Sequence, residues 1–241
     1  MRMKTIGLLG GMSWESTAAY YRHINEAVRQ RLGGLHSATL LLYSVDFAEV
    51  ERYQREGDWG AAGTRLAQAA QVLEAAGADF VVLCTNTMHK VADAIEAAVA
   101  IPLLHIADAT AADIAPHAFT TVGLLGTRFT MEDDFYRGRL RERHGLEVLT
   151  PPPADRDLVH RVIYQELCVG TVSDDSRAAF REVMAGLAGR GAQGLILGCT
   201  EIALLVGAAD ASVPLFDTTR LHARLAVERA LTTPRDSGAA G

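Results

Sequence analysis

The feature that most constrains this chain is that it reads twice. Thr5-Ile6-Gly7-Leu8-Leu9-Gly10 returns as Thr121-Val122-Gly123-Leu124-Leu125-Gly126. Gly77-Ala78 followed by Val81-Val82-Leu83-Cys84-Thr85 returns as Gly191-Ala192 followed by Leu195-Ile196-Leu197-Gly198-Cys199-Thr200. The displacements are 116 residues for the first motif, 114 for Gly-Ala and 115 for Cys-Thr. A fixed displacement shared by separate motifs is the mark of a duplicated architecture. Two similar halves are therefore predicted, each opening on a strand and each holding a strand that ends in Cys-Thr.

The periodicity between the motifs gives the fold class. Apolar runs of strand length lie at Thr5–Leu9, Thr39–Val45, Phe80–Cys84, Thr121–Leu125, Leu146–Thr150 and Leu195–Gly198, most too apolar to face water on either side. Helical spacing of Ala, Leu, Arg and Glu predicts helices at Trp14–Arg31, Trp59–Ala76, Thr87–Val99, Met131–Arg143, Asp155–Cys168, Ser176–Arg190 and Thr218–Ala230. Buried strands alternating with helices make an α/β protein: two similar domains related by a pseudo-twofold, each with a mainly parallel central sheet and with the site in the cleft between them. The expected division is 1–115 for the first domain, completed by a C-terminal helix at about 206–231, and 116–205 for the second, with a flexible tail over 232–241. Ser13 and Ser173 are placed as N-caps, and Gly33, Gly77, Gly145 and Gly191 follow helical segments as left-handed C-terminal residues.

Composition limits the function classes. The 241 residues are 49% hydrophobic and 22% charged, ordinary for a globular chain, and the net charge of −6 argues against a protein that holds nucleic acid through its phosphates. No run approaches the roughly 20 apolar residues of a membrane span, and the N-terminus lacks a signal-peptide core, so no membrane role and a cytoplasmic location are expected. Cys84, Cys168 and Cys199 are odd in number and far apart, which suits free thiols in a reducing compartment.

Two equivalent thiols at two strand ends suggest a particular chemistry. Inverting a stereocentre that bears hydrogen requires a base on one face and an acid on the other, exchanging roles with direction, and a duplicated Cys-Thr supplies two chemically alike groups. Each cysteine is predicted to precede a helix capped by Thr85 or Asn86 and by Thr200, whose N-terminal dipole would favour thiolate. A pyridoxal phosphate enzyme needs a Schiff-base lysine, and the chain has only Lys4 and Lys90, neither a convincing anchor. No cofactor is therefore expected. The carbanion would be stabilised instead by backbone N–H groups with Asn86, Thr87 and Thr200.

Gly7-Leu8-Leu9-Gly10-Gly11-Met12-Ser13, Leu83-Cys84-Thr85-Asn86-Thr87-Met88-His89 and Gly198-Cys199-Thr200-Glu201 resemble the aspartate/glutamate racemase family over nearly the whole chain. Gly33-Gly34-Leu35-His36-Ser37 and Thr127-Arg128-Phe129-Thr130-Met131 are most similar to its broad-specificity amino acid racemase branch. The resemblance implies an enzyme independent of pyridoxal phosphate that acts on a small amino acid, usually as a homodimer. Cys84 and Cys199 would be catalytic, and Met12, Gln54, Thr85, Asn86, Thr87, Thr127, Met131, Cys168, Thr200 and Glu201 would form the substrate site. Dedicated aspartate racemases of this family usually carry an arginine near Gln54 and a lysine near Cys168. Both are missing here, which implies a broader or more neutral substrate range, since charge-assisted hydrogen bonds are about twice as strong as neutral ones.

Other readings stand beside this one. The two cysteines could be packing residues or a disulfide, and Cys168 lacks a repeated partner and is read as packing at the edge of the pocket. His89 could be the base of a Cys-His hydrolase, although a cap or a solvated helix position suits it better. Glu201 could tune Cys199, hold an amino group, or simply oppose a helix dipole. Glu132-Asp133-Asp134 reads as an acidic helix start, and no metal is assigned. The glycines of the first motif miss the dinucleotide spacing and would let backbone approach a substrate. Trp14, Tyr20 and Tyr21 are read as core or subunit contacts. Functional alternatives are an aspartate or glutamate racemase proper, a hydantoin racemase or maleate isomerase, and, in another class, a non-catalytic small-molecule binding protein.

Overall fold

The computed structural model describes residues 3–232. The first half runs β1 (Ile6–Gly10), α1 (Trp14–Leu32), β2 (Leu40–Ser44), α2 (Phe47–Glu56), α3 (Trp59–Ala75), β3 (Phe80–Leu83), α4 (Ala92–Glu96), β4 (Leu103–Leu104) and α5 (Ile106–Ile114). The second runs β5 (Thr121–Gly126), α6 (Arg128–Glu132), α7 (Asp134–His144), β6 (Glu147–Leu149), α8 (Pro153–Gln165), α9 (Asp174–Gly189), β7 (Leu195–Gly198), α10 (Ile202–Leu205), β8 (Leu215–Asp217) and α11 (Thr218–Leu231).

Two four-stranded sheets form, in the orders β2-β1-β3-β4 and β6-β5-β7-β8, parallel throughout. The duplicated motifs become the two central strands of each sheet. Their register is set in the same way in both halves. Asp79, just before β3, accepts the Thr5 N–H at 2.6 Å, and Gln193, just before β7, accepts the Thr120 and Thr121 N–H groups at 2.8 and 3.1 Å.

Because both faces of a parallel sheet must be covered, helices are shared between the halves. One face of the first sheet is covered by α2, α3 and α4, with Val50, Leu66, Leu73 and Ile95 fully or almost fully buried. On the other face, Ile6, Leu8, Phe80 and Val82 pack against Tyr20, Ile24 and Val28 of α1 and against Ala223, Ala226 and Val227 of α11. The second sheet is treated alike: α8 and α9 cover one face, while Val122, Leu124 and Ile196 pack against α7 and against Ile106, Ala111 and Ile114 of α5. Each half thus lends its last helix to the other.

This exchange corrects the expected division. Residues 106–114 precede the boundary drawn at 115, yet α5 packs on the second sheet. Residues 206–217, assigned to the first half, lie with the second: Val206 sits in its core and β8 pairs with β7. Only α11 crosses back. The expected tail over 232–241 lies, beyond Thr232, outside the described residues.

Local departures have local causes. The helix expected over Thr87–Val99 is a tight 3-10 turn at Thr87–Val91 followed by α4, because the buried His89 ring bonds the Thr85 carbonyl at 2.7 Å and draws the chain inward. The helix expected over Met131–Arg143 breaks at Asp133, which is extended and holds Lys90 at 2.8 Å. Cys168 lies beyond the end of α8, in the short turn Leu167–Val169. The caps hold where they were expected: Ser13 and Ser173 accept the N–H groups of Ser16 and Ser176. Tyr20 is core, whereas Trp14 and Tyr21 are exposed.

The glycines of the first motif serve chain packing rather than approach to a substrate: a Cβ at Gly7 would lie 2.9 Å from Ala78 Cβ, and one at Gly10 would meet the Thr17 side chain. Gly11 has φ +97°, and a Cβ there would lie 2.2 Å from the Val45 carbonyl oxygen. Replacing Gly11 with alanine combines a disfavoured φ with a clash against rigid backbone and should cost roughly 3 kcal/mol. The expected outcome is a lower urea midpoint at an unchanged denaturant slope.

Candidate active site

Both cysteines follow directly on a central strand, Cys84 after β3 and Cys199 after β7. The carboxyl ends of these strands face each other across the junction of the halves, where open α/β sheets place their ligands. A cavity of about 30 Å³ lies there, lined from the first half by Met12, Ser13, Phe47, Gln54 and Thr85–Thr87, and from the second by Thr127, Ile163, Tyr164, Cys168 and 198–201. That is room for about one water molecule, so the cavity is closed as it stands. A wider groove of about 1010 Å³ on the outer side of α1 is lined by Trp14, Tyr21, Leu35 and Leu42 but has no thiol and lies away from the facing strand ends.

Hydroxyl and amide groups hold the two halves together around the cavity. Thr87 and Thr127 hydroxyls bond across the junction at 2.9 Å. The Asn86 amide donates to Thr218 Oγ1 at 3.0 Å, and that hydroxyl donates to the Leu197 carbonyl at 2.8 Å. Asn86 Oδ1 is buried and has no hydrogen-bond partner, leaving an acceptor for a ligand N–H. Gln54 accepts from the Tyr164 hydroxyl at 3.1 Å and donates to Met88 Sδ at 3.0 Å.

The second half contributes the charge. Glu201 is buried, and its carboxylate accepts from Cys199 Sγ and the Thr200 hydroxyl on one oxygen and from Ser13 and Ser16 on the other, at 2.9 to 3.0 Å. It is the only charged side chain among the cavity-lining residues. Lys90, the lysine nearest in sequence to Cys84, is held by Asp133 and lies 4.0 Å above the Trp59 ring.

The thiols themselves depart from expectation. Neither cysteine precedes a capped helix: Asn86 and Glu201 make no side-chain cap, and the helical pieces that follow are short. Burial dominates over any dipole and pushes the Cys84 thiol well up. Cys199 is pushed up by burial and then by the Glu201 carboxylate beside it, and burial pushes Cys168 up to about 12. Cys84 does not reach the cavity wall in this closed state. It is fully buried among Ile6, Leu8 and Tyr20, with Sγ 3.6 Å from the Val82 carbonyl. Met131 is likewise off the wall, packed in the second core. The other expected substrate residues, Met12, Gln54, Thr85, Asn86, Thr87, Thr127, Cys168, Thr200 and Glu201, come together at the cavity.

His89 is neither solvated nor a base for a thiol. Its Nδ1–H donates to the Thr85 carbonyl at 2.7 Å and its Nε2 accepts the Ile106 N–H at 3.2 Å, so both nitrogens are occupied. His105 and His222 lie edge-on to it, and His222 accepts from the Tyr20 hydroxyl and donates to the Leu104 carbonyl, each at 2.8 Å. Burial lowers all three, His222 to about 4 and His105 to about 2.

With this geometry in place, relatives can be compared. A family model described as Asp/Glu/hydantoin racemase matches residues 9–226. The chain belongs to that racemase family. A candidate Asp/Glu racemase from Yersinia pestis is 60% identical, with a TM-score of 0.90 over 95% of this chain and 100% of that one. An aspartate racemase homologue from Pyrococcus horikoshii OT3 is 35% identical, with a TM-score of 0.82 over 95% and 99%. The broad specificity amino-acid racemase RacX of Bacillus subtilis strain 168 is 27% identical over 150 residues, 60% of this chain and 63% of that protein's length. Membership makes this chain an isomerase of the racemase type, built for a small substrate.

Ser13, Ser16, Phe47, Ile163 and Tyr164 were not singled out as site residues by the sequence. Ser13 stood inside the first family motif but was read only as a cap, and Phe47 opens α2, where Phe47, Val50 and Tyr53 at helical spacing were the signal that could have found it.

Histidines held neutral in the fold take up protons when unfolded, so stability depends on pH. With an unfolded pKa near 6.5, their contribution is complete above that value and is lost as pH falls, until about 4 for His222 and about 2 for His105. Each costs about 1.4 kcal/mol per pH unit inside its window. Urea unfolding between pH 7.5 and 4.5 should show this decline, and His222→Gln should make it shallower.

Proposed function

We propose that this racemase interconverts L- and D-amino acids without a cofactor, moving the α-proton between Cys84 and Cys199, and that its substrates need no second carboxylate. The observation that carries the reading is the pair of Cys-Thr turns at equivalent strand ends on either side of one closed cavity. A thiolate on one side would take the α-hydrogen, and the thiol on the other would deliver a hydrogen to the opposite face. The substrate carboxylate and ammonium would be held by the turn N–H groups, by the hydroxyls of Thr85, Thr87, Thr127 and Thr200, and by the free Asn86 acceptor. Cys84 would have to turn from the Val82 carbonyl toward the cavity as the cleft opens and closes on substrate.

The cavity lining supports the substrate range, since it contains no Lys or Arg and its one charge, Glu201, is negative. A side-chain carboxylate near Gln54 and Tyr164 would meet only neutral groups. The homodimer and the cytoplasmic location implied by the resemblance belong to the same proposal.

The test is incubation with L-amino acids in D₂O without cofactor, using Met, Leu, Arg, homoserine, Glu and Asp, with the α-proton followed by NMR and the enantiomers by chiral chromatography. Loss of the signal with appearance of the D form is expected for neutral or basic side chains ahead of Asp. No exchange with any of them would sink the reading. Cys84→Ala and Cys199→Ala should each abolish racemisation while keeping the fold. Each should still exchange the α-hydrogen of one enantiomer with retention, a different enantiomer for each variant. Gln54→Arg should raise kcat/KM for Asp relative to Met by about tenfold or more, as charge-assisted pairing predicts.

A further inference from the structure

The duplication pairs Cys84-Thr85-Asn86 with Cys199-Thr200-Glu201, so the residue two beyond each cysteine is an amide in one half and a carboxylate in the other. The surroundings make that difference matter. Glu201 is 4% exposed and receives Cys199 Sγ at 2.9 Å, with Ser13, Ser16 and Thr200 supplying its remaining donors. One thiol and three hydroxyls surround an acceptor-only carboxylate, with Ser16 and Thr200 also bonding each other, and the cavity lining offers it no cation. Around Cys84 the arrangement is neutral: Asn86 spends its amide on Thr218, and Sγ reaches only the Val82 carbonyl.

We propose that Glu201 is a positioning residue that keeps the exchangeable proton on Cys199 in the resting enzyme, and that the Asn86/Glu201 difference makes Cys84 the base and Cys199 the acid of the ready state. The inference rests on the two-cysteine reading of the reaction. A thiolate at Cys199 would stand within hydrogen-bond distance of a second anion in a cavity with little water, whereas a thiolate at Cys84 meets no such neighbour. In the ready state Cys84 thiolate removes the α-hydrogen from one face and Cys199 S–H protonates the other. The turnover leaves Cys84 as thiol and Cys199 as thiolate beside Glu201. Proton exchange with solvent then restores the ready state.

The groups facing each thiol are few. From α8 and the turn after it, Tyr164 and Cys168 face Cys199, both pushed up by burial. From the α1 side the hydroxyls of Ser13 and Ser16 bond Glu201 beside the thiol, and Glu15 acts on Cys168. Tyr20 of α1 faces Cys84, with Asp217 and Tyr136 behind it.

The two enantiomers have equal free energy, so kcat/KM must be the same in both directions whatever any residue does. An unequal pair of cysteines can show itself only as unequal kcat values offset by unequal KM values. This separates the proposal from a structural role, which would lower both directions together.

The experiment uses the full chain and the nearly isosteric Glu201→Gln variant. The pH midpoint of Cys199 alkylation by iodoacetamide, read by peptide mass without substrate, should fall by roughly 1–3 pH units, the effect expected of one adjacent charge. Glu201→Asp, which keeps the charge, should stay near the wild-type midpoint. Asn86→Asp should raise the midpoint of Cys84, a separate reading if the glutamine variant does not fold. In turnover, the wild-type kcat values for the two directions should differ, and Glu201→Gln should bring their ratio toward one with the KM ratio following. An unmoved Cys199 midpoint, or a uniform fall in rate with both ratios unchanged, overturns the proposal. Absence of turnover in the wild type overturns the two-cysteine reading instead, and the alkylation midpoints still decide whether Glu201 holds the proton.

Discussion

A parallel sheet leaves two apolar faces, and in this molecule neither half has the helices to cover both of its own. The rest of the structure follows from that shortage. Helix α11 crosses to cover Ile6, Leu8, Phe80 and Val82, and α5 covers Val122, Leu124 and Ile196 in return. A reciprocal exchange of this kind locks the two sheets with their strand ends facing each other. It is why two Cys-Thr turns 115 residues apart in sequence belong to one cavity.

The crossing is pinned by polar groups that the apolar pattern does not announce. His222 on α11 bonds both the Leu104 carbonyl of β4 and the Tyr20 hydroxyl of α1, while His89 ties the Thr85 carbonyl to the first N–H of α5. Buried hydrogen bonds of this sort are costly to leave half made, so they select one arrangement of the crossing helices over others that would bury similar area. The carbonyl that His89 holds belongs to the residue after Cys84. The same bond therefore fixes the helix exchange and the backbone of the first cysteine turn.

The legible part of the sequence was its repeated part. The central strands and the two cysteine turns could be read because Gly-Leu-Leu-Gly and Cys-Thr recur and because strands of this apolarity have few alternatives, whereas the rest of the cavity wall came from the family resemblance. What stayed hidden was set by tertiary contacts. β4 has two residues and β8 three, too short for a period to register, and α5 is a short alanine-rich helix whose apolar pattern is broken only by Asp108, Thr110 and Asp113. Met131 sits in the motif that pointed to the pocket, yet its side chain fills the second core. The thiols gave the largest surprise. A cysteine before a helix suggests a lowered pKa, but here the following chain turns too tightly and the site is too dry for a dipole to prevail.

That dryness bears directly on how two thiols could do demanding work. An amino acid α-hydrogen is a very weak acid, and general acid/base groups contribute only about 10²–10⁴-fold each. A thiolate formed in water is a modest base, whereas one held in a closed cavity loses its hydration and becomes a stronger one. In the two-cysteine reading, the burial that raises both thiols is the same property that would bring a thiolate's basicity closer to that of a substrate carbanion. Closure then has two roles that cannot be separated. It excludes water from the carbanion, and it sharpens every charge left inside, including the single carboxylate of Glu201. One carboxylate in an otherwise neutral, hydroxyl-lined space would be enough to make two sequence-equivalent cysteines chemically unequal, because no cation in the lining offsets it.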